Sequence, residues 1–492
     1  VLHLILKGRG VLVLFQLGLF FLLALQLVLH PLQLQLGLLQ IQPRLTHIVG
    51  KQHITGLDLL IHLHLDGVHR GVVVLLHLRL ALGGDDAGEP VHQPRGAEAA
   101  DHGPRLHRRF ALGVCAGFAL NPWQSAPAEN PSAAPEQPEE ALTPDEDTLI
   151  QETVASMTLY EKVCQLLIVE PEHLTGEAVV TSAGEAMQIA LAGMPVCGIM
   201  YSEENLKDKA QVQSMLANTQ SGSKIPLILT CDEEGGRVNR LMHTVGTTYI
   251  GPMLDYKDQG TDAAYSNAYT IAWDIQSLGF NFDLAPVADV WSNPKNTVIG
   301  DRAYSDDFNQ AAELVQAAVF GFHDGGVGTA LKHFPGHGDT STDSHDGAVY
   351  VNKTLDELRA AELLPFQAGI TADSDMVMIG HLICTQIDNQ PATFSYKIVT
   401  DLLRGELGFD GVVITDGLQM GAMTNSYTGA QIALNAIGAG CDLLLCPANP
   451  WECINALMDA VQNGSLAEER IDQSVTRILT MKAQRGIWTP AA

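Results

Sequence analysis

The sequence predicts an α/β protein built as a (β/α)8 TIM-type barrel, a single catalytic domain preceded by a segment of different character. Eight short apolar, β-branched runs are mostly continuous rather than alternating, the pattern of strands covered on both faces. Amphipathic stretches separate most of them, as a βαβα order requires. Polar residues recur at the C-terminal ends of the runs, where a barrel gathers its chemistry.

The runs lie at 165–169, 198–201, 226–230, 280–286, 328–333, 376–381, 411–415 and 442–446. Helix starts are marked between them. Thr143-Pro-Asp-Glu146 offers an N-cap, proline at the first helical position and glutamate three residues on. Thr158 to Glu161, Thr354 to Glu357 and Ser465 to Glu468 repeat the capping box. The last helix carries Ile471, Val475, Ile478 and Leu479 on one face and is expected to end near Gly486.

The first 110 residues break this pattern. They hold 11 of the 18 histidines, 10 Lys and Arg and 7 Asp and Glu. Residues 1–82 include 28 leucines, often alternating with Gln or His, and the first methionine of the chain is Met157. Three readings stand side by side: a membrane helix or export signal at 11–29, an apolar domain, or upstream sequence translated out of its proper frame. Residues 107–120 resemble the tail of an export signal, with Cys115 either a lipidation site or an ordinary cysteine. Residues 121–142, rich in Pro, Ala, Glu and Ser, read as a tether. The expected organisation is therefore 1–110, a signal tail and linker over 111–142, and the barrel over 143–488. A tether after a signal suits a bacterial protein that is secreted or held at the cell surface, and any membrane attachment is expected only through this N-terminal segment.

The formal net charge of -28 would repel nucleic acid and anionic membranes, so neither is an expected partner. Eight cysteines without a CxxC pair make neither a disulfide framework nor a zinc ribbon. Cys441 and Cys446 flank an apolar run and read as core residues.

Asp232, Asp289, Lys332, His333, His381 and Asp416 each close a run or follow it. The densest stretch, 332–345, holds Lys332, His333, His337, Asp339, Asp343 and His345 on a loop shaped by Pro335, Gly336 and Gly338. Those histidines and aspartates could hold a metal by residue type. No HExxH pair accompanies them, and the charge of Lys332 opposes a cation there.

Asp232-Glu-Glu-Gly-Gly-Arg237, Ala285-Pro-Val-Ala-Asp289 with Asn293-Pro, Gly300-Asp-Arg302, the 332–345 block and Ile414-Thr-Asp416 follow one another in this order. Together they resemble glycoside hydrolase family 3, in particular its β-N-acetylglucosaminidases of the NagZ type. The resemblance covers about 145–487. It implies a retaining exo-glycosidase that releases terminal β-linked N-acetylglucosamine from peptidoglycan fragments or chitooligosaccharides, without metal or organic cofactor. By position Asp416 matches the nucleophile, and a carboxylate at a strand end suits that task. The other reading of Asp416 is a helix N-cap. His345 matches the acid/base and Asp343 its partner. A carboxylate beside an imidazole fixes its tautomer and steadies its cation.

Asp232, Arg302, Lys332 and His333 match residues that hold the sugar. Arg237 and His381 are further substrate-binding candidates, each with a structural alternative. Glu233 and Glu234 flank the motif without an expected ligand contact. Many family members draw the acid from a second sandwich domain; here the acid is expected within the barrel. Phosphorolysis on the same scaffold is the alternative chemistry, since a histidine acid repels phosphate less than a carboxylate does. A metal-dependent hydrolase is the more distant one.

Overall fold

The computed structural model describes residues 52–65, 72–84, 144–340 and 347–490. The chain divides into two units, Val1–Ala134 and Pro135–Ala492. In the first, strands β1 (Gln52–Leu65) and β2 (Val72–Gly84) pair antiparallel from Gln52↔Gly84 to Leu65↔Val72, with a register shift between Ile54 and Gly56. The two-residue Leu period of this segment is the period of a strand. The run at 11–29, Cys115 and the tether lie outside the described residues.

In the second unit eight strands match the eight apolar runs. They are β3 (Leu167–Val169), β4 (Gly198–Met200), β5 (Ile228–Cys231), β6 (Phe282–Asp283), β7 (Ala330–Phe334), β9 (Met376–Ile379), β11 (Val412–Thr415) and β12 (Leu444–Leu445). Five form a parallel sheet in the order β12-β3-β4-β5-β6, and three form another in the order β11-β9-β7. Single parallel bridges join the two: Phe282↔Gly328 and Val287↔Lys332 on one side, Ile414↔Leu443 on the other. Almost every strand residue is buried, which explains the unbroken apolar runs. Two strands were not anticipated. β8 (Val349–Val351) and β10 (Leu382–Cys384) make a small parallel pair, β10 following β9 after only two residues.

The capping boxes at Thr158 and Thr354 form as expected, each hydroxyl accepting from the backbone N–H of Glu161 or Glu357. Helix Pro144–Ser156 begins at its proline. The box at Ser465 does not form. The last helix runs Glu468–Gln484 from an Ala467 N-cap, and the Ser465 hydroxyl instead donates to Ala460 O (3.2 Å), closing the preceding turn. Ile471, Val475, Ile478 and Leu479 are fully buried along it, each stabilising by about 1.5–3 kcal/mol. Cys441 and Cys446 are core residues as read. No helix among the described residues is long and apolar enough to cross a membrane.

Buried charge is not confined to the C-terminal ends of the strands. Asp375, just before β9, accepts from the Thr329 N–H (2.8 Å), pairs with His323 (3.0 Å) and meets Arg485. Asp442, before β12, is surrounded by Arg404, Arg477 and Ser474 and accepts from the Val413 N–H (3.0 Å). Both carboxylates tie an outer helix to the start of a strand. The charges of Asp375 and Asp442 are taken up by these contacts.

Candidate active site

The opposite strand ends bring Asp232, Lys332, His333, His381 and Asp416 together. Lys332, in β7, reaches across to Asp232 Oδ1 beyond β5 (2.7 Å) and to Glu234 Oε1 (2.6 Å), with its side chain 3% exposed. Asp232 Oδ2 also meets Arg240 (3.3 Å). Burial works against the Asp232 anion, but the Lys332 and Arg240 charges prevail and hold its carboxyl below the usual range. Lys332 likewise is raised: burial opposes its charge, and Asp232 with Glu234 more than offset it.

Arg302 grips Glu234 as a two-pronged pair, Nε to Oε2 and Nη2 to Oε1, both at 2.8 Å. Its Nη1 donates to Val298 O (3.1 Å). Glu234, buried, is held well below its ordinary value by Arg302 and Lys332 against the effect of burial. Glu234 is thus the hub that fixes two of the sugar-binding candidates, a role the sequence reading did not give it. Its partner Arg302 lies 68 residues away, so no local spacing announces the pair.

Asp289 organises the histidines. Its Oδ2 accepts from His333 Nδ1 (2.6 Å) and from the His333 N–H (3.1 Å), and its Oδ1 accepts from the His337 N–H (2.6 Å). An ionised carboxylate only accepts, so His333 carries a proton on Nδ1. The Asp289 carboxyl is depressed, burial opposing and His333 lowering it. His337 is set differently. The Thr340 hydroxyl donates to His337 O (2.9 Å) and meets the ring Nδ1 at 2.7 Å, so Nδ1–H is the donor there. Burial pushes the imidazole pKa down, and its Nε2 has no partner among the described residues.

The root of the 332–345 loop is clamped. Asn296 donates to His337 O (2.7 Å), and Asn293 donates to Asp339 O and Thr340 O, both at 3.2 Å. Gly336 has φ +124°, which only glycine adopts freely. A Cβ on Gly338 would stand 1.7 Å from Val290 O, so the two backbones touch there. Asp343 and His345 lie outside the described residues.

Asp416 follows β11 directly. Its N–H donates to Ile379 O (3.0 Å), and its Oδ1 accepts from the Gly417 N–H (2.7 Å). It caps no helix: the next one, Gly421–Thr424, starts from Met420. Burial would raise its pKa, but the nearby His333 and His381 rings, the Gly417 N–H and Lys332 hold it below the ordinary range. Among the described residues no cation lies within ion-pair distance of it.

Two binding candidates have partners within the protein. Both His381 ring nitrogens are engaged, Nδ1 with Thr393 Oγ1 (2.8 Å) and Nε2 with Gly417 O (3.0 Å), so His381 braces the Asp416 turn. Arg237 donates to Asp301 (2.9 Å) and to the carbonyls of Thr297, Val298 and Ile299, pinning the loop that ends in Arg302. Among the described residues no group of three His, Cys, Asp or Glu could hold a metal ion. His333 and His337 are committed to Asp289 and Thr340, and Asp339 to Lys353 (3.2 Å).

Residues 158–481 match the model of the glycosyl hydrolase family 3 N-terminal domain. The chain belongs to glycoside hydrolase family 3. Its Asp232, Arg302, Lys332, His333 and Asp416 are therefore arranged on a family scaffold. Over 367 residues it is 33% identical to beta-hexosaminidase A of Pseudoalteromonas piscicida, covering 67% of this chain and 61% of that protein. Over 279 residues it is 37% identical to a beta-hexosaminidase of Stenotrophomonas maltophilia (strain K279a), covering 55% of this chain and 81% of the other. In structure it is similar to a family 3 beta-N-acetylglucosaminidase from Paenibacillus sp. str. FPU-7, with a TM-score of 0.64, 36% identity, and 68% of this chain and 64% of that one covered. The chain thus spans less than two thirds of the first and last of these relatives.

Proposed function

We propose that this family 3 chain is a retaining exo-β-N-acetylglucosaminidase, with its eight strands closed into a (β/α)8 barrel. The bridges Phe282↔Gly328 and Ile414↔Leu443 support the closure. The observation that carries the activity is Asp416: a carboxylate at a strand end, kept ionised by nearby imidazoles and Lys332, with no described cation paired to it. The names of the relatives bring N-acetylhexosaminides to this chain as the substrate class.

In this reading Asp232 accepts from sugar hydroxyls, while Lys332 and His333 face the same ring. Arg302 donates only insofar as Glu234 releases it. Asp416 attacks the anomeric carbon, forming a glycosyl ester as the C1–O bond to the aglycone breaks. His345, held in its tautomer by Asp343, gives its proton to the departing oxygen. It then takes a proton from water, whose oxygen attacks C1 and releases Asp416. Peptidoglycan fragments and chitooligosaccharides both carry the required terminal unit.

The test is hydrolysis of p-nitrophenyl-β-N-acetylglucosaminide by the full chain beside Asp416→Ala. Activity in the first and its loss in the second support the proposal; equal rates sink it. Running the reaction in phosphate buffer separates hydrolysis from phosphorolysis, since only the latter yields N-acetylglucosamine 1-phosphate. Persistent activity in chelator excludes a metal-dependent route.

A further inference from the structure

A row of aromatic rings lies on the outer helix Thr261–Gln276, away from Asp416. Tyr265, Tyr269 and Trp273 stand four residues apart, so they share one helix face. Their rings are nearly parallel, 18° and 14° between successive planes, with centroids 6.3 Å apart at both steps. The adjoining face of the helix buries Ala264, Ala268, Ile271, Ala272 and Ile275. Trp273 is 58% exposed, and Tyr265 and Tyr269 are half-buried, so none of the three rings is enclosed in the core.

Two further exposed rings flank the row. The Thr248 N–H donates to Asp274 (2.6 Å), which brings the exposed Tyr249 beside the Trp273 end. The Tyr265 hydroxyl donates to Asp324 (2.6 Å) on the neighbouring helix Phe308–Asp324, where Phe320 stands one turn before Asp324 and is exposed. Exposed rings thus gather on this helix and the segments bound to it, where single scattered apolar residues would be ordinary.

Charge narrows what fits it. The two helices carry Asp262, Asp274, Glu313 and Asp324 and no Lys or Arg. Nucleic acid, anionic lipid and acidic glycans are repelled, and a second copy would bring the same acidic face against itself. A neutral partner with flat apolar faces and many hydroxyl donors is complementary. Its C–H faces stack on the rings and its hydroxyls donate to the carboxylates.

We propose that the Tyr265–Tyr269–Trp273 row is a second carbohydrate-binding surface, distinct from the Asp416 site, for neutral β-linked glycan chains. The choice of N-acetylglucosamine polymers as its ligand rests on the function proposed above. The surface holds the chain on polymer while the strand-end site removes terminal units.

The test uses the full chain and Tyr269→Ala/Trp273→Ala. Depletion onto insoluble chitin and titration with chitohexaose are read beside hydrolysis of the one-sugar aryl glycoside. The double variant should bind chitin about tenfold more weakly, with kcat/KM on the aryl glycoside unchanged within about twofold. Trp273→Phe, which keeps a flat ring, should retain binding. Trp273→Ala alone carries the test if the double variant loses thermal stability. Unchanged chitin binding overturns the proposal. A concentration-dependent doubling of mass, abolished in the variant while chitin binding stays, also overturns it and assigns the face to a second copy. Ring-dependent chitin binding without aryl glycoside hydrolysis leaves this surface standing and removes the proposed activity instead.

Discussion

Asp289 holds His333 through a single oxygen: Oδ2 accepts from both the ring Nδ1–H, at 2.6 Å, and the backbone N–H, at 3.1 Å. One carboxylate thereby sets the position and the tautomer of the same residue. Asp289→Asn replaces one acceptor oxygen by a donor, so either His333 or the His337 N–H loses its partner. We expect kcat/KM on the aryl glycoside to fall about 10- to 100-fold with the fold retained. A loss under twofold, with unchanged histidine proton resonances, would show that His333 is held by something else.

Asp416→Ala should lower kcat by about three orders of magnitude or more. The Asp416 carboxyl lies below the ordinary aspartate range, with burial outweighed by His333 and His381. The acid limb of kcat/KM that reports its protonation should accordingly sit below about pH 4. An acid limb near pH 5, matched by titration of the Asp416 carboxyl at the same pH in carbon-13 NMR, would contradict the ionisation argued here.

Glu234→Ala strips Arg302 and Lys332 of their shared anion, with Arg302 only 12% exposed. The expected destabilisation is about 3–5 kcal/mol at pH 7, measured by urea unfolding. Because the folded-state pKa of Glu234 is depressed, its contribution is present above the ordinary carboxylate range. It is lost as pH falls through the depressed value. The gap between wild type and variant should therefore shrink in strong acid.

Glu233 behaves in the opposite sense. Burial pushes its carboxyl up to about 7, although the backbone N–H groups of Arg240 and Leu241 donate to it at 2.6 and 3.1 Å. The folded state holds a proton that the unfolded state releases near the ordinary glutamate value, so the stability contribution falls as pH rises from about 4.5 to 7. Glu233→Gln should gain about 1–3 kcal/mol over wild type between pH 5 and pH 8 in thermal melts. A constant difference across that interval would place the ionisation elsewhere.

The order of strands and helices was legible because strands covered on both faces leave continuous apolar runs, and each of the eight runs overlaps a strand. β8 lacks a continuous apolar signature because its middle residue, Tyr350, is exposed, and β10 merges with the preceding run because only two residues separate it from β9. The Ser465 box misled for a local reason: Asn463 Oδ1 accepts from the Ser465 N–H (3.0 Å) and Gly464 adopts φ +77°, so the chain is still finishing one helix where the motif announces the next. At the site, residue types at strand ends pointed to Asp232, Lys332, His333 and Asp416. Their partners stayed hidden because the pairs span 50 to 100 residues: Glu234 with Arg302, Asp283 with the Glu233 N–H, Lys332 with Asp232. Roles that depend on which donors are already taken, as for His381 and Arg237, are set only by packing.

The contact between Gly338 and Val290 divides the loop into two regimes for anyone engineering it. At 338 even a methyl would collide with a carbonyl oxygen, so a saturation library spanning 333–345 should return glycine at that codon in every folded clone. Diversity aimed at reshaping aglycone preference has to leave that codon untouched, together with Asn293 and Asn296, which hold the backbone of 337–340.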